Sequence, residues 1–221
     1  MGLDPITGLK SHRVLADIPR TLDPEELYDA LMKADGWDYK DPDTAELYRM
    51  RDRALLALLY LGALRISEAL RLRRSQFVYL KKKRAWVIRG VKLSKEKTRR
   101  KLKDGRVMDR PRVHSFREEV WLPASGRRKA FTRLIMDWVE PCGAGLIFGP
   151  QRGTYGFQTP ERALQISLVT LGTWLHYLRA QGERYLYSQW KDLIQTANYL
   201  QVDPRTLAKY LGTTPEGLRA V

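Results

Sequence analysis

Cysteine is almost missing from this chain. Cys142 stands alone among 221 residues, which excludes an intramolecular disulfide framework and a cysteine-based zinc ribbon. Three histidines are too few for a histidine-rich metal site, so neither a metal nor a cofactor is expected. Long hydrophobic runs are also missing. The most apolar stretch, Ala54 to Leu64, is 11 residues long and stops at an arginine, which suits a buried helix and is too short for a bilayer. The first residues, MGLDPITGLK, lack a basic segment followed by an apolar one. These absences lead us to expect a soluble protein in a reducing, intracellular setting, with no membrane partner.

What is plentiful is positive charge. The formal net charge is +15 and the pI about 10.0, an excess that suits a polyanionic partner; a charged surface tuned for a hot environment is the alternative. The charge is uneven. Residues 1–50 hold 6 Lys and Arg against 11 Asp and Glu, net −5, which leaves +20 on the rest. From Lys81 to Lys101 there are 11 basic residues and one acid, Glu96.

Hydrophobic periodicity divides the chain into helices, a small sheet and more helices. Residues 1–20 read as a leader, and Thr21-Leu-Asp-Pro-Glu-Glu as a helix start. A loop over 35–43 precedes a helix capped by Asp43 or Thr44 that runs through RDRALLALLYLGA. Strands are expected at Phe77–Leu80, Ala85–Arg89 and Glu119–Leu122. Helices follow at 127–140, about 160–180, about 184–200, 204–211 and 215–220, with a glycine-rich loop over Gly143–Tyr155. The expected fold is α+β and mostly α-helical, with a small three-stranded antiparallel sheet.

The segment LLALLYLGALRISEALRLRRSQF (55–77) carries the chemistry. Arg65 sits in apolar surroundings set by Leu64, Ile66 and Leu70. A guanidinium drawn into such a setting needs an anion, either a carboxylate such as Glu68 three residues on or one brought by a ligand. LGALRISEALRL resembles the first arginine box of the tyrosine recombinase, or phage integrase, family, whose pattern is roughly TGLRxSELxxL, with the Thr-Gly pair replaced here by Gly-Ala. The resemblance implies a helical catalytic domain over 21–221, without the family's N-terminal DNA clamp. It implies DNA cleavage and rejoining through a 3′-phosphotyrosyl link with no metal, and double-stranded DNA as the partner. A monomer in isolation, a tetrameric synapse on DNA and a prokaryotic cytoplasm, as for a mobile genetic element, go with it.

The remaining boxes follow in order. The family's lysine falls at Lys92 in VIRGVKLSKEKTRR, with Lys95 and Lys97 as alternatives. Its HxxR box falls at His176-Tyr-Leu-Arg179, with Arg184 as the alternative second arginine. ANYLQVDPRTLAKYLGT (197–213) resembles the stretch ending in LGH, with Thr213 where the family has His or Trp. The family's spacing puts the nucleophilic tyrosine just past Val221; within the chain Tyr210 is the fallback. Arg71, Arg73, Lys95, Lys97, Arg99 and Arg100 are the expected DNA-backbone contacts. The same TANYLQVDPRTLAKYLG stretch also fits a helix-turn-helix, as in a non-enzymatic DNA-binding regulator. An RNA-binding or ribosome-associated protein would want exposed sheet aromatics; Trp86 and Trp121 lie on expected strands, where they are expected to pack the core instead.

Overall fold

The computed structural model describes residues 23–33, 42–93, 99–101, 107–109, 116–149, 159–172 and 175–211. The leader, the expected helix at 215–220, Lys95, Lys97, Thr213 and Val221 lie outside them. Helix α1 (Pro24–Lys33) is capped by Asp23, whose carboxylate accepts from the Glu25 amide at 2.7 Å. Leu27 and Leu31, one turn apart, bury its inner face. Helix α2 (Pro42–Gly62) starts at Pro42, so Asp43 and Thr44 fall inside its first turn rather than capping it. Every residue from Ala54 to Leu61 is buried, as the apolar run requires, and α2 becomes the central rod of the molecule. The remaining elements assemble around it.

After the short helix α3 (Ile66–Ala69), the chain enters the sheet. Strands β1 (Phe77–Leu80), β2 (Ala85–Lys92) and β5 (Phe116–Leu122) pair antiparallel in the order β1-β2-β5. Phe77, Ile88 and Val120 lie in one cross-strand row and all three enter the main core. β2 and β5 each extend three residues beyond the expected bounds at their shared end. A separate two-stranded ladder, β3 (Arg99–Lys101) with β4 (Val107–Asp109), lies between them in the chain; it was not expected from the sequence.

Helix α4 (Lys129–Val139) packs on α2, with Phe131 against Tyr60, and buries Phe131, Ile135, Trp138 and Val139 in the main core. Helices α5 (Pro160–Leu171), α6 (Leu175–Trp190), α7 (Leu193–Leu200) and α8 (Pro204–Leu211) complete the fold. The expected helices at about 160–180 and 184–200 have their breaks elsewhere. Gly172, at φ 62°, ends α5, and Lys191, at φ 52°, ends α6 before Asp192 caps α7. A second, smaller core joins Ala63 to Ala197, Leu200 and Leu207, which ties α7 and α8 to the loop before Arg65. Among the described residues no helix is long and apolar enough to cross a membrane.

Candidate active site

Arg65 is held where α2 gives way to α3. Ala63 adopts φ 47°, a left-handed conformation that favours glycine; the related arginine box has glycine at this place. The chain then straightens, and Arg65 becomes the N-cap of α3. Glu68 closes the cap twice. Its Oε2 accepts from the Arg65 amide at 2.8 Å and its Oε1 from Arg65 Nη1 at 3.0 Å. The Glu68 side chain is 2% exposed and that of Arg65 24%, so the carboxylate is inside and the guanidinium reaches toward solvent. The carboxylate partner expected for Arg65 is therefore present, and part of the guanidinium surface still faces outward.

Arg179 lies on α6, and its Nε donates to Glu183 Oε1 at 2.8 Å one turn on. α6 reaches this position because residue 182 is glycine. A Cβ there would fall onto the backbone carbonyl oxygen of Tyr60 and press on the Ala63 side chain. The close approach brings Arg179 and Glu183 to the end of α2, beside the Arg65 loop. Burial pushes the Glu183 carboxyl above the usual range, and Arg179, then Arg65 and Arg117, pull it back down. Three arginines therefore act on one buried carboxylate.

Arg117 was not expected from the sequence. On β5 it alternates with Glu119 and Trp121, a pattern that reads as a solvent-facing row. Instead it is 3% exposed. Its Nη1 donates to the Gly62 carbonyl at 2.6 Å, and its guanidinium carbon lies 4.1 Å from the Tyr199 ring centroid. The Tyr199 hydroxyl in turn accepts from the Trp121 amide at 3.1 Å. Arg117 Nε and Nη2 are buried and make no hydrogen bond of good geometry. Burial lowers the Arg117 pKa, Tyr199 and Glu68 offset part of that, and Arg179 adds to it.

The other candidates differ in exposure and in the element that carries them. His176 is exposed on α6 one turn before Arg179, on the same side of the helix. Lys92 is exposed as the last residue of β2, opposite Phe116, rather than inside a turn. Arg184 is half-buried beside Tyr177, which offsets the burial that lowers its pKa; Arg179, not Arg184, is the arginine bound to Glu183. Arg71 and Arg73 are exposed. Arg99 and Arg100 belong to β3, and Tyr210 to the last turn of α8. Lys81–Arg84 form an exposed basic tip between β1 and β2, with Lys83 stacked 4.5 Å over the Trp121 ring. Among the described residues no group of three or more His, Cys, Asp or Glu could hold a metal ion.

Residues 23–120 match the phage integrase family. Among solved structures, the chain resembles the site-specific recombinase XerH bound to its difH substrate in a pre-cleavage complex. The TM-score is 0.54 at 20% identity, over 92% of this chain and 53% of that one. It is similarly related to XerH on palindromic difH in a post-cleavage complex, with a TM-score of 0.53, 20% identity, and coverage of 92% and 52%. At this identity the likeness is one of fold, and the chain spans about half the length of those recombinases. No curated protein matches the chain significantly.

Proposed function

We propose that this chain, whose residues 23–120 match the phage integrase family, cleaves and rejoins DNA strands by phosphodiester transesterification. The observation that carries this reading is the arginine pair. Arg65 and Arg179, 114 positions apart in the sequence, each rest on a buried glutamate, and both act on Glu183. A phosphodiester oxygen pair meets such planar forks with geometry that an ammonium group cannot match. Each preorganised donor of this kind is worth about 3–4 kcal/mol at the transition state.

In the reaction, a tyrosine hydroxyl attacks phosphorus, a P–O bond to tyrosine forms, and the bond to the 5′-oxygen breaks. Negative charge on the non-bridging oxygens is met by Arg65 and Arg179. Lys92, on the exposed end of β2, supplies the proton to the departing 5′-oxygen. His176, on the face of α6 that carries Arg179, takes the tyrosine proton or holds a phosphate oxygen. The phosphotyrosyl link keeps the bond energy, so rejoining needs no further input. Family spacing puts the attacking tyrosine past Val221, with Tyr210 as the candidate inside the chain. The partner is double-stranded DNA in a prokaryotic cytoplasm, engaged through the basic tip and Arg71, Arg73, Lys95, Lys97, Arg99 and Arg100. A monomer that assembles into a tetramer on DNA completes the reading.

The test is Arg65→Lys. It keeps the charge and loses the fork. Folding and most DNA affinity should remain in a gel-shift assay, while strand cleavage falls at least about a hundredfold. Cleavage unchanged in the variant would overturn the reading.

A further inference from the structure

Among the described residues, three arginines and two glutamates share this site, and their charges do not cancel. Arg65 is paired with Glu68 and Arg179 with Glu183. Those two pairs sum to zero. Among the described residues Arg117 is hydrogen-bonded to no carboxylate: it donates to the Gly62 carbonyl, stacks on Tyr199, and leaves Nε and Nη2 buried without good hydrogen bonds. An isolated buried cation is expensive to keep. An arginine at such a site stays protonated, so the expense is carried rather than relieved by losing the proton.

We propose that Arg117 is a positioning residue for the phosphate clamp, supplying the surplus positive charge that makes the Arg65–Arg179 site receptive to an anion. With it the cluster is net +1, equal and opposite to one phosphodiester. Without it, each clamp arginine would be neutralised by its own glutamate. The location fits the role. Arg117 is tethered to Gly62, the last residue of α2, three residues before Arg65. Its field reaches both Glu68 and Arg179, as well as Glu183. Because the side chain is almost fully buried, it acts behind the clamp, through charge and through the loop that carries Arg65, and does not need to touch substrate. Tyr199 provides the seat: its ring face stabilises the guanidinium, and its hydroxyl is anchored on the backbone amide of Trp121, four residues further along the same strand.

This inference rests on the reading of Arg65 and Arg179 as a phosphate clamp, and the test separates the two. Inorganic phosphate is titrated into the full chain at low ionic strength, and the side-chain Nε–H resonances of Arg65 and Arg179 report binding. Arg117→Gln keeps a donor for the Gly62 carbonyl and removes the charge; Arg117→Lys keeps the charge. Arg117→Gln should weaken phosphate roughly tenfold, the scale of one unit charge acting across a partly buried site. Arg117→Lys should stay within about threefold of wild type on the same basis, with both variants melting alike. Equal affinity in Arg117→Gln and wild type, or equal loss in both variants, would overturn the proposal while leaving the clamp intact. No phosphate response in the wild-type chain would overturn the clamp and the proposal together. If Arg117→Gln does not fold, Arg117→Met, which keeps much of the side-chain length without the charge, decides: it should lose phosphate affinity roughly tenfold on the same basis, and affinity equal to wild type contradicts the proposal.

Discussion

Glu68 grips Arg65 at two points, the backbone amide at 2.8 Å and the guanidinium at 3.0 Å. One buried carboxylate therefore fixes both where the arginine's backbone starts α3 and where its fork points. Glu68→Gln should keep the amide contact through its side-chain oxygen and weaken the contact to Nη1. We expect stability to fall by about 1–3 kcal/mol, the range for a charged hydrogen bond lost in a buried setting. Cleavage should fall by more than DNA affinity does. Urea denaturation alongside gel shift and cleavage assays reads all three quantities. A variant that loses DNA affinity and cleavage in equal proportion would argue against a role in aiming the fork.

Glu183 provides a pH signature. Its carboxyl is raised above the usual range, by burial first and against the pull of Arg179. The folded state therefore holds this proton more tightly than the unfolded chain does. The stability it confers is full at and below the ordinary glutamate range, and is lost as pH climbs through the raised value. Glu183→Gln should remove that decline. The difference in urea midpoint between wild type and variant, followed from acid to neutral pH, should move in favour of the variant as pH rises. A difference that moves the other way would contradict the assignment.

Gly182 is a packing glycine. A methyl group there meets the Tyr60 carbonyl oxygen and the Ala63 side chain, and neither backbone can give way cheaply. Gly182→Ala should cost about 2–3 kcal/mol, read as a drop of roughly 4–12 °C in melting temperature for a chain of this size. A gain in stability, the usual result of adding Cβ to an exposed helical glycine, would mean that α6 does not approach α2 so closely.

That glycine also marks where sequence reasoning failed. A glycine inside a helical pattern either breaks the helix or lets another element come close, and pattern alone does not choose. The expected break near 180–184 took the first option; the structure takes the second, and α6 runs unbroken from Leu175 to Trp190. The Arg65–Glu68 cap was legible because both partners lie within one turn of sequence, and β1 was legible from its short Phe-Val-Tyr-Leu run. Arg179 came from the HxxR spacing. Arg117 had no such signal. Its burial depends on Tyr199, 82 positions later, and strand alternation places it with Glu119 on what reads as the wet face.

Lys92 is tested by chemistry rather than by binding. If its ammonium protonates the departing 5′-oxygen, Lys92→Ala should slow cleavage by about 10²–10⁴-fold. Replacing that bridging oxygen with sulfur should restore the rate, since a thiolate leaves without a proton. Rescue in Lys95→Ala or Lys97→Ala instead would reassign the proton donor to the basic segment beyond β2.

The most direct test of the central claim is covalent trapping. A nicked duplex carrying a candidate site is mixed with the chain, and with a version extended past Val221, and protein–DNA adducts are resolved in SDS. The account predicts an SDS-resistant band that contains a phosphotyrosyl bond and disappears in Arg65→Lys. No band from either form, or a band that persists undiminished in Arg65→Lys, would contradict it.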